Sequence, residues 1–354
     1  MKAERLPFID WMKCLGMALI VLGHVGAGWV IHLTPPFNPK QLGVAFFLFA
    51  TGYSLARERR PWSEVLPRRL FEVYLYGIAF ALLMSAIDWV RISNLDESNY
   101  LPFLFGINIA LNDFPANPTT WYIGTYIHVL VIWALALRSL RPRPWMLIPV
   151  ALAEILIRSY LMEAVGPYAA YMLVTNWATV FLLGLIHGHR TPESPPRATH
   201  LVLPLVVVGL LVVWPRIARP LLHPAPSFPF ERFRTGSTLV DLGVTSAAVT
   251  LLYTAYTWST YRITSRLWDW APVRFFARNT LFIFIAHMPV YYALQPPLAS
   301  RIGRNPAVVI LFLVCFIGLA LVSEVIHRVL RPTVLRDRVL ASGWLRGLQH
   351  AQAG

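Results

Sequence analysis

The first apolar segment of the chain carries three polar side chains that could take part in acid–base chemistry. Asp10, Lys13 and His24 lie in the stretch DWMKCLGMALIVLGH. Lys13 and His24 are eleven residues apart, which on an α-helix is three turns plus about 20°, so both lie on one face about 16 Å apart. Asp10 precedes Lys13 by one turn, close enough to pair with it. The spacing predicts a polar face on an otherwise apolar helix.

His24 is the main catalytic candidate of this segment. Ionisable groups deep in a membrane usually mark a functional site, and an imidazole that titrates near neutral pH can act as a general base. The structural alternative for His24 is a hydrogen bond between helices. Lys13 lies near the start of the helix, where its side chain could instead extend to the membrane surface. Both alternatives stay open on the sequence alone.

A second histidine, His287, lies well inside a later apolar segment, two residues before Pro289. It could orient a catalytic group or relay a proton, and a purely structural role is the alternative. His128 and Glu324 also fall within apolar segments, where either could form a hydrogen bond between helices. His287 is therefore a second catalytic candidate, and His128 and Glu324 are weaker ones.

An arginine cluster follows the second apolar segment. Guanidinium groups match the geometry of phosphate oxygens, so the cluster could hold the phosphates of a donor substrate. The alternative is the ordinary excess of positive charge in cytoplasmic loops. Trp121 and Tyr122 could line an acceptor cleft, although interfacial aromatic residues would show the same pattern. The cluster comprises Arg57, Arg59, Arg60, Arg68 and Arg69, of which Arg68 and Arg69 are favoured because they begin a predicted helix.

The elements that must position these residues are membrane-spanning helices. Hydrophobic residues make up 56% of the 354 residues and charged residues only 14%, against about 25% charged residues in a soluble domain. A span needs about 20 mostly apolar residues, and ten segments qualify, so we expect an all-α polytopic fold. The segments are 11–31, 41–56, 66–90, 120–137, 144–161, 168–188, 199–218, 238–258, 273–293 and 306–330.

The basic residues predict an orientation rather than a polyanionic partner. The net charge of +14 could indicate nucleic-acid binding, but the arginines lie in short loops between apolar segments, where the positive-inside rule explains them. We therefore expect no nucleic acid as a partner, a cytoplasmic N-terminus and, with ten spans, a cytoplasmic C-terminus. Residues 1–335 are predicted to form one transmembrane domain and 336–354 a short basic tail.

Other catalytic classes lack support in the sequence. The two cysteines, Cys14 and Cys315, both lie in apolar segments, which argues against a disulfide scaffold. The chain has no Gly-x-Ser-x-Gly motif and no His/Cys spacing typical of a metal site, so neither a serine-nucleophile mechanism nor a metal mechanism is predicted.

Several segments together resemble the acyltransferase-3 family of integral membrane acyltransferases. FIDWMKCLGMALIVLGH is similar to the family's first helix, in which a basic residue, ten intervening residues and a histidine match Lys13 and His24. GVAFFLFATGYSLARERR resembles its Phe-rich second helix, with Thr51-Gly52-Tyr53 at a turn that is usually Ser-Gly-Phe-like. PRRLFEVYLYG, TWYIGTYIHVL and FFARNTLFIFIAHMPVYY resemble later segments, the last with Thr280 where serine is common.

This resemblance implies an O-acyltransferase in a bacterial inner membrane. It implies acetyl-coenzyme A, or another acyl-coenzyme A, as a donor substrate with no permanently bound cofactor, and a hydroxyl of a glycan or lipid-linked sugar as acceptor. His24 would be the general base, and Lys13 and the arginines would hold the donor. The alternative is a transporter or proton-coupled exporter with Lys13, His24, His287 and Glu324 along a polar pathway, although no internal repeat supports it.

Overall fold

Helices form nearly all the regular structure in the computed structural model of the chain, which describes residues 6–26, 34–92, 104–111, 119–190, 201–223 and 228–341. Over these residues there is no strand, and two isolated β-bridges join Phe37 to Phe230 and Leu222 to Phe233. The helices are α1 Pro7–His24, α2 Lys40–Ala56, α3 Trp62–Ile92, α4 Asn108–Leu111, α5 Thr120–Ile132, α6 Leu147–Ala164, α7 Pro167–Met172, α8 Ala178–His189, α9 Val202–Ala218, α10 Thr238–Thr264, α11 Ala271–Ile302, α12 Arg304–Leu313, α13 Leu319–Leu330 and α14 Pro332–Ala341. π-Helical turns extend α5 through Trp133–Leu137 and join α12 to α13 through Val314–Gly318.

The predicted all-α polytopic fold is confirmed. Among the described residues, seven helices are long and apolar enough to cross a membrane, and an eighth apolar helix, Trp121–Leu137, is shorter. The predicted count of ten spans stays a prediction, because α2 and α8 contain only 17 and 12 residues. The seven long helices are Pro7–His24, Trp62–Ile87, Pro144–Ala164, Val202–Leu221, Thr238–Thr264, Ala271–Ile302 and Arg304–Leu330.

Helix α2 lies in the centre of the bundle between α1 and α8, and most of its residues are buried. Its close contact with α1 depends on Gly43, because a Cβ at that position would lie 2.2 Å from the carbonyl oxygen of Gly16. Small residues at such contacts let helix backbones approach closely, which is the main way helices gain packing contacts in a membrane. A helix enclosed by others does not contact lipid along its length, which explains why α2 can be short and carry polar residues.

A buried ion pair fixes the neighbouring part of the bundle. The guanidinium of Arg158 on α6 lies 2.5 Å from the Glu154 carboxylate and also donates to the Asn176 side chain and the Ser246 carbonyl. The second carboxylate oxygen of Glu154 accepts the Thr179 backbone N–H at 2.8 Å. Buried charges are tolerated when each is paired and hydrogen-bonded, so this cluster holds α6, α8 and α10 together.

Candidate active site

His24 is the last residue of α1, and the chain turns directly after it. Gly26 has φ of 77°, a left-handed conformation that glycine adopts without steric penalty. The first span predicted at 11–31 therefore differs from the observed helix, which begins at Pro7 and ends at His24; residues 27–31 lie outside the described residues. His24 is thus positioned by the end of a helix and by its packing on α2 and α11, rather than by the middle of a span.

The structure brings His24 and His287 into direct contact. The Nε2 atom of His287 lies 2.9 Å from Nδ1 of His24, and the ring centroids are 4.9 Å apart. His287 is buried on α11, and its Nδ1 lies 2.7 Å and 3.1 Å from the carbonyl oxygens of Phe284 and Ile283. The two histidines therefore link α1 to α11.

The hydrogen-bond partners determine the tautomers of this pair. Carbonyl oxygens only accept hydrogen bonds, so Nδ1 of His287 carries the hydrogen and, in the neutral ring, Nε2 is an acceptor. Nδ1–H of His24 donates to that acceptor, which leaves the lone pair of His24 Nε2 for a ligand. A neutral imidazole held in this way, with one nitrogen oriented by a partner, is arranged as a general base.

His24 lines a cavity of about 440 Å³, here called the histidine cavity. Lys40, the first residue of α2, lines it as well, and Thr119 contributes a hydroxyl. The rest of the wall is mainly aromatic and apolar, which is typical of a site for a small organic ligand with a few polar groups that fix its orientation. The aromatic lining residues are Trp121, Tyr168, Tyr171, Phe228, Phe284, Tyr291 and Tyr292.

A second cavity, of about 330 Å³, lies towards the Lys13 end of α1 and is here called the arginine cavity. Its described lining residues include five basic side chains and one acidic side chain, Glu72, so the cavity favours an anion. Thr51 and Ser54 also line it. The basic residues are Lys13, Arg68, Arg69, Arg278 and Arg336.

Carboxylates at the edge of the arginine cavity hold several of these arginines in place. Arg278 lies 2.6 Å from Glu324, and Arg68 and Arg336 lie 3.2 Å and 3.1 Å from the same oxygen of Asp337. The hydrogen bond from Arg336 keeps the pKa of Asp337 below its ordinary value, so this carboxylate stays charged at neutral pH. Fixed guanidinium groups lose less conformational freedom when they bind a ligand.

Phe284 lines both cavities and separates them. Its ring centroid lies 5.0 Å from that of Tyr122, which lines the arginine cavity, and 6.0 Å from that of His287. The histidine pair, a wall of aromatic rings and the arginine cavity therefore follow one another along the axis of the bundle.

Comparison with known proteins agrees with this architecture. The family model of the acyltransferase-3 type, described as an acyltransferase domain, matches residues 6–325, nearly the whole chain. The chain belongs to the acyltransferase-3 family. No curated protein and no solved structure matches the chain. The family membership confirms the predicted resemblance and shows that the protein is a membrane acyltransferase, which favours the enzyme over the transporter alternative.

Two of the five predicted arginines reach a cavity in this acyltransferase. Arg68 and Arg69 line the arginine cavity with Lys13. Arg60 lies 2.7 Å from Glu58, and this hydrogen bond lowers the pKa of the Glu58 carboxyl, so the Arg60 guanidinium is already engaged. The remaining members of the cluster, which are exposed and do not appear among the described lining residues, are Arg57 and Arg59.

The other candidate residues are divided between the two cavities or lie outside them. Trp121 lines the histidine cavity and Tyr122 the arginine cavity, because successive helical residues project about 100° apart. Asp10 is partly buried one turn before Lys13, and His128 is half-buried on α5; neither is among the described residues that line a cavity. Glu324 contacts the arginine cavity indirectly, through Arg278. The catalytic roles of His24 and His287 stay predictions.

The sequence reasoning missed Lys40, Arg278 and Arg336. Lys40 precedes an apolar segment as an ordinary flanking lysine would, and Arg278 lies in the same segment as His287, the residue of that segment predicted to be catalytic. Arg336 falls in the predicted basic tail, yet residues 336–341 belong to α14, which packs on α3 and places Arg336 in the arginine cavity. The rest of that tail, 342–354, lies outside the described residues.

Proposed function

We propose that the protein is an O-acyltransferase that moves an acyl group, with acetyl as the expected case, from acyl-coenzyme A to a hydroxyl of a glycan or lipid-linked sugar. The observation that carries the proposal is the position of Phe284, whose ring forms the common wall of the histidine cavity and the arginine cavity. One cavity suits the phosphates of the donor, and the other contains a base for the acceptor.

The arginine cavity is the donor site in this proposal. Coenzyme A is an anion with several phosphates, and Arg68, Arg69 and Arg336 present forked N–H groups that match phosphate oxygens. The excess of positive charge on the lining residues would also raise the rate of encounter. With the thioester carbon directed towards Phe284, the acyl group would lie at the wall between the cavities, close to His287 and His24.

The histidine pair would perform the proton transfers. His24 Nε2 would remove the proton of the acceptor hydroxyl while its oxygen attacks the thioester carbonyl. The carbon–sulfur bond then breaks, and the thiolate of coenzyme A leaves and takes the proton back from His24. His287 would act as a positioning residue, since its Nε2 holds Nδ1–H of His24 and stabilises the imidazolium that forms.

The proposed orientation is based on the charge distribution. A cytoplasmic N-terminus places Lys13, the arginine cavity and α14 on the cytoplasmic side, where acetyl-coenzyme A is available, and the histidine cavity towards the opposite side. The basic loops support this orientation, as does the location of the arginine cavity at the N-terminal end of α1. We propose the bacterial inner membrane as the location, because surface glycans are assembled there.

The test is acyl transfer by membranes that contain the full chain, supplied with labelled acetyl-coenzyme A and glycan acceptors. General-base catalysis contributes about 10²- to 10⁴-fold, so His24→Ala should lose at least about a hundredfold in rate. His128→Ala is the matched control, because His128 is a half-buried histidine outside both cavities, and it should keep normal activity. Wild-type transfer by a folded His24→Ala protein would disprove the role of His24.

The acceptor itself can be identified by mass spectrometry of surface polysaccharides from a strain that lacks the protein. Loss of an acetyl mass from one glycan would support the proposal and identify both the group and the acceptor. Unchanged glycans, together with substrate flux across the membrane and no acylated product, would instead favour a transporter.

A further inference from the structure

The histidine cavity contains a basic residue, Lys40, that the acyl transfer described above does not use. The Lys40 side chain lines the same cavity as His24. Its Nζ lies 4.1 Å from the centroid of the Phe228 ring, a cation–π contact of modest strength. The described residues that line this cavity include no aspartate and no glutamate. Among the described lining residues, the positive charge of Lys40 therefore has no carboxylate beside it.

Packing between α1 and α2 fixes Lys40 close to His24. A Cβ at Gly23, the residue before His24, would lie 2.6 Å from Cβ of Lys40 and 2.8 Å from Oδ1 of Asn38. Only glycine leaves room for Lys40 at this contact. The backbone N–H of Lys40 also donates to Asn38 Oδ1 at 3.1 Å. The lysine is therefore built into the wall of the cavity as a defined part of it.

An ammonium group in a largely aromatic cavity is a binding group for an anion. Charge-assisted hydrogen bonds from lysine to carboxylate or phosphate oxygens are roughly twice as strong as neutral ones. The aromatic side chains around it, Trp121 and Tyr291 among them, offer flat apolar surfaces that suit the C–H faces of a sugar ring. The combination of one cation and several aromatic rings fits a sugar that carries a negative charge.

We propose that the acceptor carries an anionic group, and that Lys40 binds this group in the histidine cavity while a hydroxyl of the same molecule reaches His24. The inference rests on the proposed function, which it narrows from any glycan to an anionic one. The charge could be the carboxylate of an acidic sugar or a phosphate of a phosphorylated or lipid-linked sugar, and both would form the same contacts with Lys40.

Ligand-induced stabilisation of the purified full chain in detergent tests this inference without any acyl donor. The probes are methyl β-glucuronide, glucose 1-phosphate and methyl β-glucoside, which carry a carboxylate, a phosphate and no charge. A ligand that binds the folded state raises the unfolding midpoint, and at a given ligand concentration a tighter ligand raises it more. We expect at least one anionic probe to raise the unfolding midpoint and the neutral probe to leave it unchanged. The anionic probe that raises the midpoint shows whether the site binds a carboxylate or a phosphate.

Substitutions at Lys40 assign the effect to this cavity. Lys40→Met should weaken binding of the active anionic probe at least about tenfold, and Lys40→Arg, which keeps the charge, should retain most of it. Arg69→Gln, in the arginine cavity, should leave that binding unchanged, which excludes capture of the phosphate probe at the donor site. The midpoint of each variant without ligand verifies that it is folded.

Three results would overturn the inference: equal stabilisation by the neutral probe, no stabilisation by either anionic probe, or unchanged binding in folded Lys40→Met. Acyl-transfer assays distinguish a failure of the Lys40 inference from a failure of the proposed function. If Lys40→Met transfers acetyl with an unchanged KM for the acceptor, Lys40 does not bind it, although the acyltransferase proposal stands. If the wild type binds anionic sugars through Lys40 but transfers nothing, the proposed reaction fails and the anion site remains.

Discussion

Replacement of His287 by leucine tests whether this residue orients the catalytic base. Leucine fills a similar volume in the buried site but removes both imidazole nitrogens. In the wild type, Nδ1 of His24 lies 2.9 Å from Nε2 of His287. The variant lacks this acceptor for the Nδ1–H of His24. The His24 ring keeps only the backbone hydrogen bond to Ile20, so the direction of its Nε2 lone pair is held less firmly. The expected effect is a fall in kcat for acetyl transfer.

The size of the effect follows from this one hydrogen bond. Between two neutral imidazoles it is worth about 1 kcal/mol, and to a charged group about 1.5–3 kcal/mol. In the proposed mechanism, the bond becomes charge-assisted when His24 accepts the hydroxyl proton. The same bond, worth about 1 kcal/mol, is also lost from the ground state, so kcat falls only by the difference of about 0.5–2 kcal/mol, which is about a 2- to 30-fold lower rate at 1.36 kcal/mol per factor of ten. This is less than the effect of removing His24 itself.

The assay is transfer from labelled acetyl-coenzyme A in membranes, with kcat and both KM values measured separately. The KM for acetyl-coenzyme A should not change, because His287 is not a lining residue of the arginine cavity. His287→Gln should recover part of kcat, since its amide oxygen can take the place of Nε2 as acceptor. If His287→Leu is folded and keeps the wild-type kcat, or if His287→Gln is no better than leucine, the positioning role is wrong.

Two further predictions concern the packing of the bundle and the wall between the cavities. Gly43→Ala should destabilise the protein by about 3 kcal/mol or more, the upper end of overpacking costs, because its Cβ would lie 2.2 Å from a backbone oxygen; thermal unfolding in detergent measures this. Gly209→Ala is the control, since its Cβ would meet nothing within 4 Å, and an equal loss there would refute the packing argument. Phe284→Ala should open the wall between the cavities and raise the rate with propionyl- or succinyl-coenzyme A relative to acetyl-coenzyme A. An unchanged donor preference in competition assays would show that Phe284 does not limit the size of the acyl group.

The helices could be predicted where hydropathy alone determines them. The segment predicted at 41–56 is α2, Lys40–Ala56, because a mostly apolar segment inside a membrane has few structures other than a helix available to it. The segment predicted at 168–188 is instead broken before α8. Its break contains Asn176, whose side chain binds Arg158. The hydropathy of segment 168–188 does not predict this break, because the break involves a hydrogen bond between Asn176 and Arg158, a charged residue on another helix.

The sequence predicts the relative positions of candidate site residues only when they lie on the same helix. The common face of Lys13 and His24 follows from helical geometry, and each residue does line one of the two cavities. The contact between His24 and His287 joins residues 263 positions apart, and neither residue's neighbours in sequence indicate it. The sequence did not indicate a role for Lys40 for the same reason. Only the packing of α1 against α2 places this lysine beside His24.

The use of a histidine rather than a carboxylate to hold His24 follows from the cost of charge in a membrane. A carboxylate at position 287 would have to remain ionised beside the Phe284 ring, and an unpaired buried charge costs several kcal/mol. Glu154 is a carboxylate that the chain does bury, but there Arg158 lies 2.5 Å away. A neutral imidazole needs no counter-ion, because one nitrogen donates to a carbonyl and the other accepts from His24.

In the proposed mechanism, a neutral partner stabilises the imidazolium of His24 less than a carboxylate would, so His24 is a weaker base than one held by a carboxylate. For the proposed thioester donor that is sufficient, because a thiol with an ordinary pKa near 8.5 is a better leaving group than an alcohol or an amine. The base has only to remove the hydroxyl proton as the oxygen attacks, and little additional help is needed to expel the thiolate. The neutral histidine pair and a thioester donor are therefore matched to each other.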